Sequence, residues 1–215
     1  MAGWLFLLLT LIGAPFADYH EKPSPSIRWN SIQYGHFADG YYYSGDGCFR
    51  MPIADLTPPF TASTYPPDMQ SLASGSVILT DDLGTLRRVE WLPLGLESQI
   101  ELFDEAERKK FTQNMTELMK SVEPDAVLLK ELYDPAWKGE KMQLVFFLNG
   151  GSTLVADDGK RLDAYRGVMA GLKGGDFFVL MVQQIPPLHH GNNQDDPVQP
   201  VIEELHRFYD SIEPL

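Results

Sequence analysis

The densest grouping of residues with chemistry to offer is the run His189-His190-Gly191-Asn192-Asn193-Gln194-Asp195-Asp196. Imidazole nitrogens and carboxylates suit Zn²⁺ or Cu²⁺, which makes His189, His190 and Asp195 the candidate metal ligands. Adjacent histidines rarely aim both rings at one ion, and no His pair at helical spacing fixes a geometry here. Asp196 is already explained as a helix cap. A solvated loop is therefore the first reading of this segment. A metal-dependent hydrolase that borrows carboxylates from elsewhere in the chain is the alternative. The acidic turns Asp81-Asp82 and Asp157-Asp158-Gly159 lack the spaced carboxylates and distal Glu of a calcium loop, so turn formation accounts for both. Ser152 follows Asn149-Gly150-Gly151 and reads as a turn serine, not a nucleophile on a strained elbow. No phosphate loop, HExxH helix or GxGxxG turn is present, and nothing calls for a cofactor.

A second grouping is aromatic: Phe37, Tyr41, Tyr42, Tyr43 and Phe49. Side chains alternate along a strand, so Tyr42 must oppose Tyr41 and Tyr43. Tyrosine combines contact area with a hydrogen bond and is enriched where proteins touch partners. Tyr41, Tyr42, Tyr43 and Phe37 are the candidate contact residues for a protein or small ligand, with ordinary strand packing as the competing account. The single cysteine, Cys48, excludes an internal disulfide framework and a multi-cysteine metal site, and reads as a small buried hydrophobe.

These residues need elements to hold them. Asp39-Gly40 and Gly45-Asp46-Gly47 punctuate the aromatic stretch as hairpin turns. A Pro-rich stretch from Pro52 to Pro67 reads as an ordered surface loop. Residues 76–80 and 85–92 pair as a hairpin, with one slip of alternation in the second arm that suggests a bulge. Asp104 and Glu107 form a capping box for a helix over 104–122, whose buried stripe is Phe111, Met115, Leu118 and Val122. Five strands are expected next, over 126–133, 141–148, 152–156, 161–169 and 177–184, the fourth more exposed than its neighbours. Asp196, Pro197 and Gln199 then open a final helix with the apolar stripe Val198, Val201, Ile202, Leu205, Phe208, Tyr209 and Ile212. Turns this short imply a mostly antiparallel β-sheet packed against an internal helix and a C-terminal helix, an α+β fold.

Residues 1–17 carry no charge, and Trp4 to Ile12 is almost wholly apolar before Gly13-Ala14-Pro15-Phe16-Ala17. This is the hydrophobic region and small-residue exit of a signal peptide, which leaves one α+β domain over 18–215. The apolar stretch is about 13 residues, too short to span a bilayer as a helix. Overall, 17 Lys and Arg face 30 Asp and Glu, a formal charge of −13. That acidity opposes nucleic-acid binding, which needs a positive surface.

The element order, the turn Asp157-Asp158-Gly159 before Arg161–Met169, and the closing Phe208-Tyr209-Asp210-Ser211-Ile212 resemble the PsbP-like and DcrB-like α/β domains of exported proteins. The resemblance spans roughly residues 32–213. It implies an accessory or binding protein and carries over no catalytic residues, since the group has no universal catalytic motif. The expectation is therefore an exported, soluble protein of the periplasm or extracellular space. It binds an unidentified protein or small ligand, without a stable membrane span and without catalysis.

Overall fold

Short strands and Asx-Gly turns build two sheets. The computed structural model describes residues 27–32 as backbone and residues 34–53, 60–66, 75–81, 85–92, 104–134, 141–152, 154–184 and 196–215 in full. In chain order the elements are β1 (Ile27–Ile32), β2 (His36–Ala38), β3 (Tyr41–Tyr43), β4 (Phe49–Pro52), β5 (Phe60–Tyr65), β6 (Gly75–Asp81), β7 (Leu86–Leu92), α1 (Glu105–Val122), β8 (Val127–Asp134), β9 (Lys141–Leu148), β10 (Ala164–Lys173), β11 (Asp176–Gln184), α2 (Gln199–Ser211) and β12 (Glu213–Pro214). The main sheet runs β1-β5-β6-β7-β11-β10-β9-β8, and a small sheet runs β12-β4-β3-β2. Among the described residues β1 and β5 are the one parallel pair. The architecture is α+β, and its sheets are mostly antiparallel.

The two helices cover opposite faces of the main sheet. On β11, Phe178, Leu180 and Val182 join the core beneath α2, while Val179 and Met181 join the core beneath α1. That two-sided burial is why the run from Phe177 to Val182 is continuously apolar. Each such side chain, fully buried, contributes about 1.5–3 kcal/mol. The small sheet shares the α2 face, adding Tyr42, Phe49 and Met51 to that core. Gly167 on β10 lets α2 come close: a Cβ there would lie 2.7 Å from Val201 and Leu205 side-chain carbons.

Both helix signals act in the structure, one of them displaced. Asp104 accepts from the Glu107 amide at 2.8 Å and caps α1 as expected. Val122 leaves the anticipated buried stripe and is 46% exposed, with Met119 buried in its place. The seven-residue stripe of the last helix is buried throughout. Its helix starts at Gln199, however, with Pro200 in its first turn. Asp196 accepts from Val198 N at 3.0 Å, which fastens a preceding turn instead of the helix itself. Gln199 bonds forward to Glu203 and closes no capping box.

Other expectations are corrected by sheet geometry. Among the described residues of 152–156 there is no strand. One bridge, Val155 to Arg161, closes the Asp157–Gly159 turn. The following strand begins at Ala164 and is central and buried, because it pairs on both edges with β9 and β11. The Pro-rich stretch contains β5, whose six residues lie between Pro59 and Pro66. The slip in β7 is no bulge, since its pairing with β6 is unbroken from Gly75–Trp91 to Thr80–Leu86. Val89 and Trp91 face α2, whereas Leu86 and Leu92 pack on the α1 side. Apolar residues of both parities therefore mark a strand with two covered faces.

Candidate functional site: the outer face of the small sheet

The site is made by a turn. Asp39 and Gly40 both take positive φ, 51° and 79°, the pairing a two-residue hairpin turn demands. That turn sets β2 against β3 with His36 opposite Tyr43, Phe37 opposite Tyr42 and Ala38 opposite Tyr41. Strand β4 then places Arg50 beside Tyr43 and Met51 beside Tyr42. The strand period sorts these residues into an inner and an outer layer.

The inner layer is core. Tyr42 is 0% exposed, its hydroxyl donates to Tyr34 O at 3.2 Å, and its ring meets Phe37 at 5.2 Å. Phe49 stands edge-on to Trp91 at 4.9 Å and to Phe178 at 5.4 Å, which joins the small sheet to the main one. Burial, with Asp46 nearby, pushes the Tyr42 hydroxyl well above its ordinary titration range. Asp46 secures the β3–β4 loop by accepting from Trp91 Nε1 at 2.7 Å and from Cys48 N at 3.2 Å. Cys48 is half-buried, and burial followed by the Asp46 carboxylate pushes its thiol up to about 12. It stays protonated at neutral pH, so its nucleophilicity is low.

The outer layer is a set of braced rings. His36 stacks on Tyr43 at 5.0 Å with 7° between the planes. Tyr41 lies 6.4 Å from Tyr43, and the Arg50 guanidinium sits 4.6 Å above the Tyr41 ring. Pairing of β12 with β4 puts Glu213 opposite Arg50, and the two form an ion pair at 2.6 Å. A hydrogen bond to Tyr43, then the one to Glu213, hold the Arg50 pKa above its usual value. The ring faces are thus occupied by neighbours, while Tyr41 and Tyr43 remain half-buried. Rings immobilised in this way lose little side-chain freedom when a partner covers them.

The structure divides the four aromatic candidates. Tyr41 and Tyr43 belong to the outer layer, while Tyr42 and Phe37 pack inward. His189, His190 and Asp195 lie outside the described residues. Among the described residues no group of three or more His, Cys, Asp or Glu is placed to hold a metal. His206 on α2, beside the apolar stripe, meets Gln143 at 3.1 Å. Sequence reasoning missed His36, Arg50 and Glu213. The alternation Phe49-Arg50-Met51 marks Arg50 as outward-facing. Only the sheet register brings His36 and Glu213 to the same face.

Among the described residues no helix is long and apolar enough to cross a membrane. No protein-family model matches the chain, and no curated protein matches it. The structure is similar to the solution structure of cyanobacterial PsbP from Synechocystis sp. PCC 6803, with a TM-score of 0.40 and 14% identity over 85% of this chain and 91% of that one. It is also similar to PA94 of Pseudomonas aeruginosa, a protein of unknown function, with a TM-score of 0.34 and 10% identity over 78% of this chain and 92% of that one. The first of these is a PsbP protein, from the group that the element order of the sequence resembles. No ligand, activity or location is carried over from them.

Proposed function

We propose that this chain is an exported accessory protein that works by binding a protein partner, and that it does so through the face formed by His36, Tyr41, Tyr43 and Arg50. One observation carries the reading: two tyrosines and an arginine, the residue types that dominate binding energy at interfaces, are held rigid on one half-buried surface. Export rests on the uncharged, apolar first seventeen residues.

Two measurements test it. Cross-linking in source cells, comparing wild type with a Tyr41→Ser/Tyr43→Ser variant of equal melting temperature, should give an adduct with one defined partner that the variant loses. An undiminished adduct in the variant refutes the face. Intact mass of the protein recovered from cells should start near Asp18. A chain that retains Met1 refutes export.

A further inference from the structure

Arg166 stands on β10, in the layer between the main sheet and α1. Its Nε donates to Gln183 Oε1 at 3.0 Å, and Nη2 reaches the same oxygen. Nη1 meets the Met119 sulfur at 3.6 Å, a weak acceptor. A guanidinium has five N–H donors in a fixed fork. Gln183 closes the Nε–Nη2 edge, and the Nη1–Nη2 end keeps N–H groups with no acceptor among the described residues. Gln183 is 2% exposed and anchored in turn, its Nε2 donating to Gly151 O at 3.2 Å.

The charge of Arg166 is unmatched locally. Among the described residues, Arg50, Arg87, Arg88 and Arg207 each pair with a carboxylate, and Arg166 does not. The largest attraction on it comes from Glu123, with which it forms no ion pair, while Arg88 repels it. Arg88 itself is committed to Glu90. Burial holds the Arg166 pKa down to about 10, so the group is still charged at neutral pH. The residue is half-buried, not sealed, and a neutral amide orients the fork without cancelling its charge.

We propose that the Nη1–Nη2 end of Arg166 is a binding site for an oxyanion group, the carboxylate or phosphate of a small molecule, with Gln183 as the positioning residue. Two parallel N–H donors match two oxygens of either group, and the soft Met119 contact is readily displaced.

The test is calorimetric titration and thermal unfolding of the purified protein with sodium phosphate, sodium citrate and sodium chloride at matched ionic strength. Saturable binding of phosphate, of citrate or of both supports the site. Phosphate alone points to a phosphorylated ligand, citrate alone to a carboxylate. Arg166→Gln should weaken that binding at least about ten-fold. Gln183→Glu supplies an internal carboxylate in place of the amide and should abolish it in a protein that still folds, which keeps the test decisive if Arg166→Gln does not fold. Chloride acting as strongly as the oxyanions overturns the proposal, as does wild-type affinity in Gln183→Glu.

Discussion

On the α2 face of the main sheet, Arg87 enters the core and meets Glu204 with Nε at 2.9 Å and Nη2 at 2.6 Å, both side chains under 10% exposed. Lys173 on the same face donates to the Tyr209 and Asp210 carbonyls at the α2 C-terminus, where a cation is favoured. On the α1 face, Arg166 leans on an amide. Charge is cancelled at Arg87 and left standing at Arg166, even though Arg88 on that same α1 face is matched by Glu90. The contrast separates two uses of a buried cation. A matched cation fixes a helix to a sheet, whereas an unmatched one retains the capacity to recognise an anion.

The comparison can be broken most forcefully on the matched side. Glu204→Gln should destabilise the protein by about 3–5 kcal/mol, because it removes the negative charge of a buried ion pair with Arg87. Chemical denaturation measures this, and a loss under about 1 kcal/mol would show that Arg87 finds another partner. Trp91→Ala should cost a similar amount, about 3–5 kcal/mol. It also removes the Asp46 anchor, so His36 and Tyr43 amides should lose hydrogen-exchange protection before the β9 to β11 amides do.

Smaller effects sharpen the distinction between the layers of the small sheet. Tyr42→Phe removes the bond to Tyr34 O and should cost about 1 kcal/mol. Tyr43→Ser, on the outer layer, should cost less than that while removing partner binding. If the two variants exchange these outcomes, the assignment of inner and outer layers fails. The smallest expected effect concerns pH. The Cys48 thiol is raised from 9.0 to about 12 in the folded chain, so its contribution to stability is complete below pH 9 and is lost as pH rises towards 12. Cys48→Ser should flatten the fall in melting temperature over that interval, and an unchanged slope would remove Cys48 as a cause.

Much of the fold was legible because its signals are local. The Asp104 cap, the Asp39-Gly40 turn and the final apolar stripe depend on neighbours within four or so residues, and all three act in the structure. Strand β5 was hidden by its flanking prolines, which advertise a loop although they only bracket a strand. The exposure of 161–169 was misjudged because Arg161, Asp163 and Arg166 look like surface residues. The first two precede the strand, and Arg166 lies in the layer beneath α1. Half of the aromatic site was legible for the same reason: alternation separates Tyr42 from Tyr41 and Tyr43 but does not say which side faces the core.

The sequence alone determined the strands' apolar character, the turns between most of them, two helices with most of their buried stripes, and a charge of −13. It did so because residue type and short spacing act through backbone geometry within a few positions. Only the tertiary structure decided that two helices take opposite faces of one sheet, that Glu213 lands opposite Arg50 across 163 residues, and that Arg166 rests on an amide where Arg87 rests on a carboxylate. Those outcomes depend on which strands become neighbours, and long-range pairing is set by the total burial of the folded chain and by no single local pattern.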